Sequence, residues 1–355
     1  MVVAEAPGKE EDRLGTQLVG PSGQRLRESL DRIGIDLDED CWKINAVNCH
    51  SGQTPTDRQV EQCRPTVLRA IRELDPATIV LLGERAVKSV IGHLWKSDVG
   101  AIGRWVGWRI PSRKPNAWIC PTWHPSYLLR QKSPVTDVLF DEHLEAAFHS
   151  LGPPWGEPPD WIRDVRVIHD KTMAVEAIRE AAKSAVGPVA FDYETNALKP
   201  EADGAEIVCC SVAYRTGEDG VKAIAYPFTG PAREATAEIL FSDIPKVAAN
   251  LKFEERWTKK VFGRGVRNWH WDTMVASHVL DNRPGITGLK FQSFVRFGQP
   301  EYNAKVAPYL KADGGMTRNR IHMVNGDDLL LYNGMDSLLE LRLAESQRRE
   351  MGIES

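Results

Sequence analysis

Residues 150–165 read SLGPPWGEPPDWIRDV. Proline and glycine at this density deny helix and central strand alike, which is how a linker reads. The segment divides the 355-residue chain into a part spanning 1–149 and a part spanning 166–355, each long enough to bury a core of its own. No internal repeat or low-complexity tract competes with this division.

The two parts carry different patterns. Ahead of the linker, apolar runs (MVVAEA, WKINAVN, ATIVLLG, AWICPTWHPS) alternate with helical periodicity, as in TDRQVEQCRPTVLRAIREL and ERAVKSVIGHLW. Thr56 and Gln59 stand at capping-box spacing in the first of these helices. Strand–helix alternation predicts a three-layer α/β sandwich with a mostly parallel sheet. Beyond the linker, GPVAFDYETNAL, EIVCCSVAY and KAIAYPF read as three strands, and from about residue 233 the pattern turns largely helical. That order predicts a mixed sheet with helices packed on it, so the fold class is α/β throughout. Composition is that of a globular protein, 42% hydrophobic and 26% charged. A net charge of −4 argues against a coating protein held to nucleic acid by a global basic field, though not against a local cleft. No apolar run has the length of a membrane span, and no basic-then-apolar leader opens the chain, so a cytoplasmic protein is expected. Six cysteines in a chain this long do not form a disulfide framework.

Chemistry-bearing residues gather in the C-terminal part. In FDYET, Asp192 and Glu194 alternate along a strand and leave the same face. Two adjacent carboxylates repel unless a divalent cation neutralises them; a lone pair of this kind is usually a solvated face, so context decides. NLKFEERW places Glu254 at a helix start and WDTMVASHVLDN places Asp272 at another. LYNGMDSLLELRL sets Tyr332 and Asp336 four apart, on one helical face. Asp192, Glu194, Glu254, Asp272 and Asp336 can thus converge on one or two Mg²⁺ or Mn²⁺ ions.

In this order the motifs resemble the proofreading 3′–5′ exonuclease domain of the DNA polymerase I family, an RNase H-like fold, over about residues 165–348. DYETNAL matches the first exonuclease motif, NLKFE the second and YNGMD the third. The resemblance implies a two-metal phosphodiester hydrolysis in which Asp192, Glu194 and Asp336 hold the ions and Tyr332 orients the attacking water. It further implies that Leu198 wedges against the terminal base, that Asn250 and Lys252 of the second motif contact the substrate, and that Asp272 is structural. Glu254 stands where the family has aspartate, so reduced or Mn²⁺-preferring activity is expected.

The N-terminal part carries AEAPGKEED, GTQLVGPSGQRL, INAVNC, QCRPTVL, TIVLLGERAVKSVIG and TWHPSYLLR in the order seen in uracil-DNA glycosylases. It is most similar to the iron–sulfur class called family four. Uracil excision leaves positive charge on the sugar and negative charge on the departing base, which must first be flipped from the stack. The resemblance makes His124 a hydrogen-bond donor to the developing uracil anion. Glu5 and Glu11 become candidates for positioning water and balancing sugar charge, and Asn45 reads the uracil edge. The loop GPSG (20–23) would approach phosphates through its amides. Cys49 and Cys63 match two of the four cysteines that bind a [4Fe–4S] cluster, while Cys41 and Cys120 match neither of the others. Leu18 stands where a phenylalanine that stacks on uracil is expected, and the loss of roughly 1–3 kcal/mol of stacking would weaken the pocket.

Three readings of the missing cysteine pair stay open: a start upstream of Met1, a domain that has lost its cluster, or a remnant serving as a DNA-binding or docking module. The chain as a whole reads as a DNA-processing protein, with DNA as partner and a DNA polymerase as a further one. It suits replication-coupled repair in a phage-like, compact genome. The alternatives are an active exonuclease carrying a non-catalytic glycosylase-like DNA-binding or docking module, a fragment of a larger polymerase, and a catalytically silent scaffold beside a polymerase.

Overall fold

The computed structural model describes residues 1–50, 52–149, 152–217, 220–312 and 318–353. They form two compact units, Met1–Pro159 with Phe294–Glu301, and Asp160–Ser293 with Tyr302–Ser355.

In the first unit the elements follow the order β1 (Val2–Ala4), α1 (Lys9–Leu14), α2 (Pro21–Asp31), β2 (Lys43–Asn45), α3 (Asp57–Leu74), β3 (Thr78–Leu82), α4 (Glu84–Leu94), β4 (Ile110–Pro111), β5 (Trp118–Thr122), α5 (Pro125–Gln131) and α6 (Pro134–Phe148). The sheet runs β2-β1-β3-β5-β4. It is parallel, with Ala4 beside Asn45 and Val80 beside Cys120, except at the β4 edge. Every residue of β3 is buried, as expected of a central parallel strand covered on both faces. Val2, Ala4, Val80, Leu82 and Cys120 project from one face into a core with Leu26 and Leu30 of α2, Leu128 of α5 and Phe140 and Leu144 of α6. The intervening residues Val3, Ile79, Leu81 and Ile119, buried on the other face, lie on the side where α4 packs on β3 and α3 on α4. Thr56 and Gln59 close the capping box that opens α3.

The linker segment is partly structured. Ser150 and Leu151 lie outside the described residues. Trp155 Nε1 donates to the Pro111 carbonyl at 3.0 Å and its backbone N–H to Asn116 Oδ1 at 3.2 Å. Trp161–Asp164 form a turn of 3₁₀ helix that leads into a strand at Val165. Proline density forbids regular ladders here but leaves side-chain and carbonyl pairing open.

In the second unit follow β6 (Val165–Val167), α7 (Lys171–Ser184), β7 (Val189–Thr195), β8 (Ile207–Arg215), β9 (Val221–Pro227), α8 (Pro231–Leu240), β10 (Lys246–Ala248), α9 (Lys252–Phe262), β11 (Trp269–Asp272), α10 (Thr273–Leu280), α11 (Leu289–Phe297), α12 (Ala307–Leu310) and α13 (Gly326–Glu350). The sheet order is β11-β10-β7-β8-β9-β6, antiparallel through β7-β8-β9 and parallel at both flanks. The sequence reading expected three strands here; β6, β10 and β11 add to them. Each has only three or four residues, too short for alternation to declare itself. One face of the sheet packs on α7, α8 and α9 around Phe191, Tyr193, Tyr226, Ile239 and Trp257. Along the other lies α13, which touches β6, β7, β8, β9 and β10.

Candidate functional site

The acidic centre of the second unit begins with the pleat of β7. Phe191 and Tyr193 enter the core, so Asp192 and Glu194 leave the opposite face, the one α13 covers. Asn333 of α13 donates from Nδ2 to Asp192 Oδ2 at 2.7 Å, and Ser211 of β8 donates to the Asn333 carbonyl at 2.8 Å. The helix seats this closely because residue 334 is glycine. A Cβ there would stand 2.4 Å from Val165 Cγ1 and 3.3 Å from Ala225 Cβ. With α13 so placed, Asp336 joins Asp192 and Glu194, and one ligand oxygen of each lies within 4.8 Å of the others. The group lines a cleft of about 680 Å³, bordered also by Glu254, Tyr332, Asn250 and Leu198. Leu198, after β7, is 79% exposed. A large apolar side chain presented in this way at the mouth of a polar cleft suits contact with a flat apolar ligand face.

The electrostatics are those of a site made for a cation. Burial, then the charge of Asp336, pushes the Asp192 carboxyl up to about 8. Glu194 is raised well above the usual range by burial and by Asp192. Glu254 is buried and raised by the same pair of causes, and its Oε2 has no hydrogen-bond partner. Glu340, one turn beyond Asp336 on α13, is likewise buried and raised, first by burial and then by Asp192, and its Oε2 is unpartnered. All donors are oxygens, the set that suits Mg²⁺ or Mn²⁺, so the residues present fit such ions. Glu254 itself is not one of the three grouped carboxylates. Glu255 turns away to Lys259, Trp269 Nε1 and the Val266 N–H. Asp272 accepts four backbone N–H groups, from Asn250, Leu251, Met274 and Val275. It caps α10 and pins the second-motif loop, where Asn250 takes a left-handed φ of 62°. Lys252 is exposed on the first turn of α9 and is not among the residues lining the cleft.

Four residues of this centre escaped the sequence reading: Asn333, Glu340, Lys290 and Tyr302. Lys290 of α11 donates to Asp336 Oδ2 and, at 2.9 Å, to the Tyr332 hydroxyl. Tyr302 donates to Asp336 Oδ1. Glu340 extends the i, i+4 stripe of Tyr332 and Asp336, and that spacing was available as a signal. Lys290 and Tyr302 sit 46 and 34 residues from Asp336 and carry no local signal.

In the first unit, Glu5, Asn45 and His124 lie at or just beyond the C-terminal ends of β1, β2 and β5, the rim where parallel α/β sheets place ligands. His124 caps α5: its Nδ1 accepts the Ser126 N–H at 3.2 Å and pairs with the Ser126 hydroxyl at 2.8 Å. An accepting Nδ1 assigns the ring proton to Nε2, which leaves that nitrogen as a donor. Burial lowers the His124 pKa, against the opposing charge of Glu5, and this favours the neutral ring. The carboxylates expected to act on water are engaged with backbone. Glu5 Oε1 accepts the Arg85 N–H at 3.1 Å. Glu11 Oε1 accepts the Val19 and Gly20 N–H groups at 3.0 and 2.8 Å. Burial alone would raise the Glu11 pKa; the backbone amides around it, of Gly20, Glu11, Val19 and Gly8, outweigh burial and leave it lowered. The Gly20 amide, expected to face phosphate, is therefore already used. Leu18, expected in the base pocket, is 6% exposed and packs in the core, with φ at 55°. Gly23 crowds its carbonyl so closely that a Cβ would lie 1.7 Å from it. Asn45 is 4% exposed.

An iron–sulfur cluster finds no matching ligand set among the described residues. Cys49 is exposed and Cys63 half-buried, and neither belongs to a group of three or more converging ligands. Cys41 and Cys120 are buried, and burial pushes the Cys120 thiol up to about 12, far from the thiolate a cluster requires.

Residues 1–151 match the uracil DNA glycosylase superfamily and residues 165–295 match the 3′–5′ exonuclease family. The type-4 uracil-DNA glycosylase of Thermotoga maritima is 34% identical over 147 residues, covering 41% of this chain and 73% of that protein. That of Pyrobaculum aerophilum is 33% identical over 136 residues, covering 37% and 68%. Among solved structures, Escherichia coli RNase D aligns at a TM-score of 0.38 and 13% identity over 53% of this chain and 45% of that one. Brucella melitensis NrnC with bound Mg²⁺ aligns at 0.37 and 17% over 53% and 84%. Likenesses at that level add nothing to the family matches. The chain belongs, through its first part, to the type-4 uracil-DNA glycosylases of the uracil DNA glycosylase superfamily, and it joins to that part a 3′–5′ exonuclease domain.

Proposed function

We propose that the second unit removes nucleotides from DNA 3′ ends by hydrolysis, and that the clustering of Asp192, Glu194 and Asp336 at the cleft carries this reading. These three carboxylates would hold two Mg²⁺ or Mn²⁺ ions. Such ions, when bound, lower the pKa of an attacking water and neutralise charge on the leaving 3′ oxygen. The Tyr332 hydroxyl orients that water, and Glu254 adds negative charge beside the group. Leu198 meets the terminal base, Asn250 shapes the cleft floor, and Lys252, exposed at the start of α9, reaches the DNA backbone outside the cleft. Domains of 1–149 and 166–355 joined by the 150–165 segment would divide the labour. The protein would act in the cytoplasm beside a DNA polymerase. No helix among the described residues is long and apolar enough to cross a membrane.

The first unit would excise uracil, with His124 Nε2 donating to the departing base, Asn45 reading its edge, and Glu5 and Glu11 holding the loops that frame the pocket. A second reading makes this unit a DNA-binding module that does not excise. It is favoured by Leu18, packed in the core where a stacking ring is expected. One assay addresses both units. A single-stranded oligonucleotide carrying an internal uracil is incubated with the full chain in excess EDTA, or with Mn²⁺. Mn²⁺-dependent shortening from the 3′ end, absent in Asp336→Asn, supports the nuclease; no shortening with Mn²⁺ refutes it. Alkali-labile cleavage at uracil in EDTA, absent in His124→Ala, supports excision, and its absence leaves the binding reading.

A further inference from the structure

Asp336 is 4% exposed, and both of its carboxylate oxygens are taken. Oδ1 accepts the Tyr302 hydroxyl and Oδ2 accepts the Lys290 ammonium. Every oxygen that this residue can offer a metal ion therefore already faces a proton donor. The ammonium is seated on three sides. It donates to the Tyr332 hydroxyl at 2.9 Å, lies 4.6 Å from the centre of the Tyr332 ring and 5.4 Å from that of Tyr302, and the two rings stand 5.9 Å apart. Aromatic faces at these distances attract a cation. Around it stand carboxylates from two elements, and Lys290 is the positive group that acts on Asp192, Glu194 and Glu340. Repulsion among these acids, which a divalent ion would relieve, is relieved here by a side chain.

We propose that Lys290 is a built-in counter-cation of the nuclease centre, holding Asp336 and Tyr332 together when no metal is bound and competing with the divalent ion that Asp336 takes. The inference rests on the reading of Asp192, Glu194 and Asp336 as metal ligands. Its consequence is that loading the centre requires Lys290 to leave Asp336, which frees an ammonium beside the carboxylates that line the cleft. A lysine that only buttressed the fold would have no such antagonism with metal.

The test is Mn²⁺ binding to the full chain by isothermal titration calorimetry, with wild type, Lys290→Met, Lys290→Arg and Asp192→Asn compared. Removal of a positive charge from beside the ligands is expected to tighten Mn²⁺ binding at least about tenfold in Lys290→Met, with Lys290→Arg close to wild type. Melting in EDTA should fall in Lys290→Met, and Mn²⁺ should raise it by more than in wild type. On unmodified protein, reductive methylation read by peptide mass spectrometry should spare Lys290 in EDTA and reach it at saturating Mg²⁺. Unchanged or weaker Mn²⁺ binding by Lys290→Met, or a lysine equally protected with and without Mg²⁺, overturns the proposal. Wild type that binds no more Mn²⁺ than Asp192→Asn would instead overturn the metal-ligand reading beneath it.

Discussion

At the scale of single residues, one methylene and one ring matter most. Glu254 places a longer side chain where the family carries aspartate, and its Oε2 ends buried and unpaired. Glu254→Asp is expected to raise the Mg²⁺-supported trimming rate and to narrow the gap between Mg²⁺ and Mn²⁺; equal Mg²⁺ rates in a single-turnover assay would count against this. Asp336→Asn removes a proposed metal ligand and the acceptor of both Tyr302 and Lys290. Since loss even of a supporting partner costs 10–100-fold at metal sites, trimming should fall by at least about 100-fold. Leu18→Phe tests the other unit. Sequence alone expects the ring to restore stacking on uracil, but the side chain at 18 lies in a packed core. Enlarging it should cost about 1–3 kcal/mol, visible as a lower melting temperature, rather than improve uracil binding.

At the scale of elements, the nuclease centre is a contract between β7 and α13. Gly334 allows the approach, and Gly334→Ala would drive a methyl into Val165. The helix must then shift, which is expected to lower stability by about 1–3 kcal/mol and to weaken Mn²⁺ binding, although residue 334 touches no ion. Calorimetry on this variant separates the two effects. The same pairing of elements sets a pH dependence. Asp192, buried and facing Asp336, keeps its proton to about pH 8 in the folded chain, against an ordinary carboxyl value of 3.8. The folded state thus binds more protons than the unfolded one, and stability falls as pH rises from about 4 to about 8. Melting curves in EDTA across this window should show the decline, and Mg²⁺ should flatten it, because the ion then replaces the proton as partner of the carboxylates. A melting temperature that rises with pH in EDTA would contradict the assignment.

At the scale of the whole molecule, two chemistries with different requirements share one chain. The nuclease reading needs divalent ions and the glycosylase reading does not. EDTA is therefore expected to abolish 3′ trimming while leaving any cleavage at uracil unchanged, and His124→Ala should do the reverse. Mn²⁺ should also raise the melting transition of the second unit and leave that of the first where it is, since a ligand stabilises only the part that binds it.

Much of this was legible beforehand. Strand–helix alternation announced the parallel sheet, and the spacings of Asp192 with Glu194 and of Tyr332 with Asp336 each declared a common face. Such features are short-range: a pleat of two and a turn of 3.6 residues follow from backbone geometry, whatever surrounds them. Strands of three or four residues such as β6, β10 and β11 leave too little pattern to read, and only the family resemblance places Leu18 of GTQLVG in a pocket. Lys290 and Tyr302 reach Asp336 from α11 and the segment that follows it, and Glu5 spends its carboxylate on the Arg85 amide, 80 residues along the chain. Which charge meets which is a matter of long-range packing, and no local periodicity records it. The sequence by itself determined the two α/β units and the acidic faces they would present. Only the tertiary structure decided that a lysine, not solvent, sits against the central aspartate, because that contact exists once the sheet, α11 and α13 have closed around it.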